Sequence, residues 1–443
     1  MTSASWTVRE LRQALASGTA RPTALAEEAL ARANRNPGRN TYLWQDAAWT
    51  LAEAARAEAM PRGEGGPFGD GRAALWGLPI AVKDCFDLAG APTTCGVQLY
   101  GDLNGKAKQD SWLVERLRAL GAVIMGKTHL HPLAYGITGE NPEFGDCFQF
   151  GRPGALTGGS SSGAAASVME GSAVAAIGTD TGGSVRAPAA FCGLAGYRST
   201  LGRGDWRGGA HLAESFDTMG WLFRDLEDAP LLGAPFAPAD ARPGAEFSRF
   251  AFVADRFLHD CEAEIAANFH AAIGELEELG LKGREIDPGW WAEALEIFAP
   301  IQASEASRLH TGYYDHFETA IRERLEWGAH MAPQEVAALR RRHAEFRAGM
   351  DELFATHELL LLPSTPMAVI VKGAGENPIG AETRNRILRY TAPISLAGVP
   401  VVAIPRHPGG MTLAAARNGD EALLKLAGRL GAHRKAAVSA QHV

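Results

Sequence analysis

Long apolar runs are missing from this chain of 443 residues, and no long run rich in lysine and arginine stands out. No uninterrupted apolar stretch approaches the roughly 18 residues that a membrane-spanning helix needs. Without a long basic run, and with a net charge of −8, the sequence shows no sign of a nucleic-acid-binding face. The N-terminus also lacks the charged head and apolar centre of a signal peptide. We therefore expect neither a membrane nor a nucleic acid as a partner.

Cysteine is scarce as well, since the chain has five cysteines and no CxxC pair. Disulfide frameworks and zinc sites use paired or closely spaced cysteines, so this pattern is typical of thiols in a reducing cytoplasm. The histidine pair in HLH (129–131) has no third ligand near it in the sequence. We expect a cytoplasmic protein with no metal and no cofactor.

Short apolar runs alternate with helical stretches from residue 75 onward. LPIAVKD (78–84), AVIMGKT (122–128) and VAAIGTD (174–180) predict strands that are apolar on both faces. An amphipathic helix, SWLVERLRALG (111–121), lies between them and ends at a glycine. Such alternation predicts an α/β fold in which helices cover both faces of a sheet.

The remaining sequence predicts how the chain is organised. Residues 5–60 and 259–356 have helical patterns, whereas ELLLLPSTP (358–366) and VPVVAIP (399–405) again predict strands. Because strands return at the end, the helical middle is better interpreted as an insertion than as an independent domain. We predict one domain over residues 1–443, a core at 60–228 and a helical insertion or cap at 245–356.

Two matches to known motifs fail on their structural context. GAVIMGKT (121–128) fits the phosphate-loop pattern, but the residues between its glycines predict a strand, which a phosphate loop should follow. GSSSG (159–163) fits the nucleophile-elbow pattern, but RPGALTG (152–158) before it is not an apolar strand. Nucleotide binding and an α/β-hydrolase site are therefore disfavoured.

GTDTGGSVRAP (178–188) places Ser184 between an apolar strand and a helix whose first turn can accept Pro188. Free N–H groups near a helix N-terminus favour a developing anion. Gly182 and Gly183 would let several N–H groups point to one spot, as an oxyanion hole requires. A tight turn with a serine N-cap would use the same residues, so this segment alone leaves both interpretations open.

A second segment, TGGSSSGAAASVMEG (157–171), repeats the order glycine, glycine, serine before a helix of small residues. A serine nucleophile needs a base, and no histidine lies in either segment. Lys83 ends the strand LPIAV, where burial would lower its pKa and allow it to act as a base. The alternative is a lysine that extends to the surface or pairs with Asp84.

LPIAVKD, GGSSSG and GTDTGGSVRAPAAFCG, in this order and spacing, resemble the amidase signature family. The resemblance continues through GKTHLHPLAYGITGENPEFG (126–145), ESFDTMGWLFRD (214–225) and APISLAGVPVVAIP (392–405). Within the family the chain is most similar to short, free-standing amidases of the indole-3-acetamide hydrolase type. The resemblance implies a twisted mixed sheet covered by helices on both faces, and a small-molecule amide as substrate. It leaves a homodimer open as the oligomeric state.

The resemblance also implies a role for each matching residue. Ser184 would be the nucleophile, Ser160 a bridging serine that follows a cis peptide bond, and Lys83 the base. The oxyanion hole would be formed by the backbone of the turn at Thr181, Gly182 and Gly183, together with that of Ser184 itself. One further stretch of main chain would touch the substrate amide: Ala134, Tyr135 and Gly136.

We expect hydrolysis of a small carboxylic amide to the acid plus ammonia or an amine. One alternative is a glutamyl-tRNA amidotransferase A-like subunit that releases ammonia from glutamine, although the region after Pro405 is short for it. Another is a non-catalytic scaffold, which the intact set of Lys83, Ser160 and Ser184 disfavours. Ser395 stands where relatives often carry Asn, so the substrate stays open.

Overall fold

The computed structural model describes residues 6–35, 38, 40–60, 68, 73–237, 246–373 and 378–440. These residues form fourteen α-helices and thirteen strands. The helices are α1 (Val8–Ala16), α2 (Pro22–Asn34), α3 (Ala47–Glu58), α4 (Gln98–Asn104), α5 (Trp112–Ala119), α6 (Ser162–Glu170), α7 (Arg186–Cys192), α8 (Ala229–Leu232), α9 (Ala263–Glu278), α10 (Ala294–Leu309), α11 (Thr319–His330), α12 (Pro333–His357), α13 (Ala381–Ala397) and α14 (Asp420–Ala440). The strands are β1 (Tyr42–Trp44), β2 (Pro79–Lys83), β3 (Val123–Thr128), β4 (Ala155–Leu156), β5 (Ala175–Asp180), β6 (Ala195–Arg198), β7 (Thr218–Phe223), β8 (Arg249–Val253), β9 (Lys282–Ile286), β10 (Leu359–Pro363), β11 (Ile370–Val371), β12 (Val401–Pro405) and β13 (Gly410–Ala415).

Eleven of the strands form one mixed sheet in the order β1-β3-β2-β5-β7-β6-β12-β13-β10-β8-β9. β2 runs parallel to both of its neighbours, whereas the ladder from β5 through β7, β6, β12 and β13 to β10 is antiparallel. β4 and β11 form a separate two-stranded sheet. The prediction of an α/β fold around a mixed sheet is confirmed.

The three strands predicted from apolar runs are confirmed as β2, β3 and β5, and each is buried at every position. Helices on both faces explain why these strands carry no alternation of apolar and polar residues. β3 covers the segment between the glycines of the phosphate-loop match, so this segment is a strand of the core. The predicted helix at 111–121 is α5, which Ser111 caps by accepting a hydrogen bond from the Val114 N–H.

The range 245–356 contains α9 to α12, but it also contributes β8 and β9 to the main sheet. The sequence pattern did not reveal these two strands. β9 is KGREI, with partly or fully exposed side chains along its length, because it forms the edge of the sheet. Edge strands lack a two-sided apolar run and escape a search for one.

The parallel pairing of β2 with β5 positions the candidate site. Ile80 lies opposite Ala175 and Val82 opposite Ile177, so both strands end at the same edge of the sheet. Lys83 is the last residue of β2, and the segment from Thr181 onward follows the end of β5. Ligands of α/β sheets bind at such carboxyl edges.

Among the described residues, no helix is long and apolar enough to cross a membrane. The five cysteines all lie in the described part of the chain, and no disulfide bond joins them.

Candidate active site

Lys83 is fully buried at the end of β2. Its Nζ donates hydrogen bonds to Ser160 Oγ at 2.7 Å, Ser161 Oγ at 3.1 Å and Thr179 Oγ1 at 2.7 Å. All three acceptors are neutral hydroxyl groups. The amine neither extends to the surface nor pairs with Asp84, so both alternative interpretations of this lysine are wrong.

Asp84 faces away from the Lys83 amine, because successive residues of a strand point to opposite faces. Its Oδ1 lies 2.6 Å from the Nζ of Lys127, a second buried lysine, on the neighbouring strand β3. Burial lowers the pKa of Lys83 to about 8, although the neighbouring Cys85, Asp217 and Asp180 act in the opposite direction. Part of the Lys83 population is therefore neutral near physiological pH, and the neutral amine predominates above about pH 8.

Ser160 is fully buried just before α6, and the peptide bond between Gly159 and Ser160 is cis. The next residue, Ser161, ties the start of α6 to β5: its hydroxyl donates to the Thr179 carbonyl at 3.1 Å and accepts from the Thr179 N–H at 3.2 Å. Gly178 leaves room for this contact, since a Cβ there would lie 2.7 Å from Ser161 Oγ. The sequence did not single out Ser161 or Thr179, which position the lysine.

Ser184 lies in the turn between β5 and α7, where the sequence predicted it. The turn folds around the carboxylate of Asp180, which accepts the N–H groups of Gly183 at 2.9 Å and Val185 at 3.1 Å. Gly183 has φ +118°, and a Cβ there would lie 2.8 Å from Thr391 Cγ2, so glycine is required. The Gly183 N–H, one of the predicted oxyanion donors, is directed at Asp180 in this structure.

Asp180 is fully buried between two buried arginines. Arg186 Nη2 and Arg198 Nη1 each donate to Oδ1 at 2.8 Å. Burial alone would raise the Asp180 pKa, but the charges of Arg186 and Arg198 outweigh it and lower that pKa. Arg186 also donates to the Thr391 carbonyl and to Ser395 Oγ, both at 2.9 Å, which gives Ser395 a structural role. Asp180 and Arg186 thus link the turn that carries Ser184 to α13.

We predict that Asp180→Asn lowers the free energy of unfolding by about 3 to 5 kcal/mol, because it leaves two buried guanidinium groups without a counter-charge. The matched control is Glu115→Gln, which removes the carboxylate of an exposed pair with Arg207. Such a pair contributes at most about 1 kcal/mol. Urea unfolding of both variants measures the difference. An Asp180→Asn variant as stable as the control would contradict the structural role of Asp180.

Ser184 lines a narrow cavity of ≈ 20 Å³, which has room for about one water molecule. The segment predicted to touch the substrate, at 134–136, lines the same cavity, as does Gly182. The remaining lining residues are Ile137, Gln302, Arg384 and Leu388. The structure therefore brings the predicted nucleophile, part of the glycine turn and the predicted substrate segment together.

Of the two histidines in HLH, His129 is held by hydrogen bonds through both of its ring nitrogens. His129 lies within 2.7 Å of Ser162 Oγ and 2.8 Å of the Gly145 carbonyl through its two ring nitrogens. Within the described ranges, no group of three or more His, Cys, Asp and Glu side chains could hold a metal ion.

Known proteins resemble this chain over nearly its whole length. A family model described as Amidase matches residues 24–424. The indoleacetamide hydrolase of Pseudomonas savastanoi is 31% identical over 94% of this chain and 94% of its own length. One subunit of the glutamyl-tRNA(Gln) amidotransferase of Chromohalobacter salexigens is 29% identical over 95% of each chain. A solved structure described as an amidase superposes with a TM-score of 0.84 at 29% identity, covering 96% of this chain and 99% of that one.

Proposed function

The chain belongs to the amidase family, and from this premise we propose that it hydrolyses a small carboxylic amide to the acid plus ammonia or an amine through an acyl-enzyme on Ser184. One observation carries the proposal. A lysine with no exposed surface lies 2.7 Å from Ser160 Oγ among neutral hydroxyl groups, and burial lowers its pKa to about 8. An amine in this state can accept a proton near neutral pH.

In the proposed reaction, neutral Lys83 accepts the proton of Ser160 Oγ while Ser160 accepts the proton of Ser184 Oγ. Ser184 attacks the amide carbonyl, and a tetrahedral intermediate forms. The relay then returns a proton to the nitrogen as the C–N bond breaks, which releases ammonia or an amine. Water attacks the acyl-enzyme by the same proton route, the carboxylic acid leaves, and Lys83 is neutral again.

The three hydroxyl contacts of Lys83 suit both of its protonation states. A protonated amine has three N–H groups, one for each neighbouring hydroxyl. A neutral amine has two N–H groups and a lone pair, so it can donate to Ser161 and Thr179 and accept from Ser160. The lysine therefore keeps its position while the proton moves.

The developing oxyanion would be stabilised by backbone N–H groups of the glycine turn. Side chains fix this turn at both ends. Thr181 Oγ1 donates to Asp217 Oδ1 at 2.6 Å, and the Gly182 carbonyl accepts from Thr391 Oγ1 at 2.6 Å. Since the Gly183 N–H already binds Asp180, we assign the oxyanion to the N–H groups of Thr181, Gly182 and Ser184.

The experiment that tests the proposed function is a substrate panel. Aliphatic, aromatic and ureido amides are incubated with the purified protein, and the released ammonia is measured. Turnover of at least one amide, lost when Ser184 is replaced, supports the proposal. A protein that releases ammonia from none of them would contradict it.

We predict that a chelator does not change the rate of hydrolysis, because the proposed chemistry uses hydroxyl groups, an amine and backbone N–H groups. The measurement is ammonia release before and after prolonged treatment with EDTA. Activity that disappears with EDTA and returns with zinc would require a different mechanism.

A second candidate function follows from the likeness to one component of an amidotransferase. In that case the acyl-enzyme would form from glutamine, and the ammonia would pass to a tRNA-dependent partner. Adding L-glutamine to the panel separates the two functions. Glutaminase activity that requires a co-purifying protein and tRNA would favour the second function, whereas turnover of simple amides by the isolated chain favours the first.

A further inference from the structure

Arg384 is the one charged side chain among the described residues that line the cavity of Ser184. It lies in the first turn of α13, where its Nη1 donates a weak hydrogen bond to Asn385 Oδ1 at 3.4 Å. No carboxylate in the described part of the chain lies within ion-pair distance of it. A guanidinium beside a candidate nucleophile therefore has no counter-ion of its own there.

A second arginine strengthens the positive charge on this side of the cavity. The Arg324 guanidinium stacks over the ring of Tyr135 at 4.1 Å, and its Nη1 is buried without a hydrogen-bond partner in the described residues. Burial, followed by the charge of Arg324, lowers the Arg384 pKa to about 10. Burial also pushes the pKa of His131 well below its usual value, and both arginines add to this shift.

The nearby carboxylates are oriented toward other cations. A second cavity of ≈ 250 Å³ shares Gly136, Ile137 and Arg384 with the first. Two of the acids that line it, Glu140 and Asp146, both bind Lys372 Nζ, at 2.8 and 2.7 Å. Lys372 offsets one of these two negative charges, and neither carboxylate lies within ion-pair distance of Arg384.

Two more acids line the wider cavity, Glu318 and Glu323. Burial raises the pKa of Glu318, and the charge of Arg324 acts on it in the opposite direction. Glu323 is exposed to solvent. Neither lines the narrow cavity of Ser184, so the positive charge of Arg384 dominates beside the nucleophile.

We propose that Arg384 selects amides whose acyl part carries a carboxylate, such as the half-amides of short dicarboxylic acids. This inference rests on the proposed hydrolysis at Ser184 and names its substrate class. A guanidinium binds a carboxylate through two parallel N–H groups, which fixes orientation as well as charge. The wider cavity of ≈ 250 Å³, which shares Arg384 with the narrow one, has room for a short acyl chain. Gln302 Oε1, buried without a partner in the described residues, is an acceptor for the amide N–H.

The test compares substrates that differ only in their charge. Malonamate and succinamate are each paired with the neutral amide of equal length, propionamide and butyramide. For wild-type protein we expect kcat/KM to be at least about tenfold higher for each charged amide, since hydrogen bonds to charged groups contribute that much or more. Arg384→Met, which keeps an unbranched side chain but removes the guanidinium, should lower the ratio of kcat/KM for succinamate to that for butyramide at least about tenfold.

Two further variants separate charge from structure. Arg384→Lys keeps the charge but loses the paired N–H groups, so it should retain only part of the preference for succinamate. Arg386→Met is the matched control on the same helix. Arg386 lines a different cavity and donates to the Asp260 carbonyl at 2.9 Å, so its loss should leave the preference unchanged.

The outcomes distinguish this inference from the proposed function. Faster hydrolysis of the neutral amides, with no effect of Arg384→Met on the ratio, would overturn the inference and leave amide hydrolysis intact. If wild-type protein hydrolyses no amide, the proposed function fails. Calorimetric titration with succinate then tests whether Arg384 binds a carboxylate. Binding of succinate that Arg384→Met weakens at least about tenfold would still support a carboxylate site. Equal binding by both proteins, or none, would overturn it.

Discussion

Replacement of Ser184 by alanine is expected to lower kcat for amide hydrolysis by at least about 10⁴-fold, because loss of a serine nucleophile in comparable enzymes costs up to about 10⁶-fold. The fold should persist. The hydrogen bond that holds this residue, from the Ser161 N–H to the Ser184 carbonyl at 3.3 Å, uses only the backbone. Measurement of ammonia release together with the thermal unfolding midpoint separates loss of chemistry from loss of structure.

Ser162→Ala is the matched control for this variant. Ser162 is a buried serine at the start of α6, but its hydroxyl contacts His129 and not Lys83. We expect Ser162→Ala to keep most of the activity. A serine-directed fluorophosphonate should label Ser184 alone, as mapped by mass spectrometry. Label on another residue, or substantial turnover by Ser184→Ala, would remove Ser184 from the proposed role.

The parts of the fold that the sequence predicted are those with a strong local signal. β2, β3 and β5 are buried on both faces, so each appears as an unbroken apolar run. The turn that carries Ser184 combines such a run with two glycines and a proline in the first turn of the next helix. These features need no knowledge of distant contacts, since each follows from local backbone geometry and burial.

The residues that hold the site in place do so through contacts between distant parts of the sequence, so local patterns could not predict them. Asp180 and Arg186 lie close together in the sequence. The other partner of Asp180, Arg198, comes from a later strand, and the residues that bind Arg186 come from α13. The contact of Thr179 with Lys83 depends on the register of β2 against β5, which an isolated strand pattern does not contain. Spacing along the chain therefore locates the candidate reactive groups but not the residues that orient them.

The helix pattern does indicate the two arginines beside the cavity, because each lies on the buried face of its helix. In α11 the buried residues are Ile321, Leu325 and Gly328. Arg324 comes three residues after the first of them and four before the last, which places it on the same face. Arg384 likewise precedes the buried pair at 387–388 by three and four residues. A charged residue on the apolar face of a helix is costly to bury, so it is a candidate for a binding role.

The rate of hydrolysis is expected to rise with pH and to level off above about pH 8, since burial lowers the Lys83 pKa to about 8 and the neutral amine is the proposed base. Lys83→Ala should remove this rise and lower the rate by roughly 10²- to 10⁴-fold, the usual contribution of a general base. The control is Lys127→Met, which removes the other buried lysine at this edge of the sheet, the partner of Asp84. That variant should lose stability but keep the rise in rate with pH.

The same pKa predicts an effect on stability that does not depend on turnover. The folded-state pKa of about 8 lies below the ordinary value of 10.5, so between these values the unfolded chain binds more protons than the folded one. The free energy of unfolding of the wild type should therefore rise with pH in this window relative to Lys83→Met. A constant difference between the two proteins from pH 8 to 10.5 would show that the lysine is not neutralised by folding.

Lys83→Arg distinguishes a base from a positive charge that merely fills the site. A guanidinium keeps its proton at any usable pH, so it cannot accept the proton of Ser160 even if it reaches the same three hydroxyl groups. If Lys83 is the base, Lys83→Arg should be as inactive as Lys83→Ala across the whole pH range. If the site needs only a cation, the variant should hydrolyse amides at a near-normal rate at neutral pH, and the proton relay through Ser160 would then have to be abandoned.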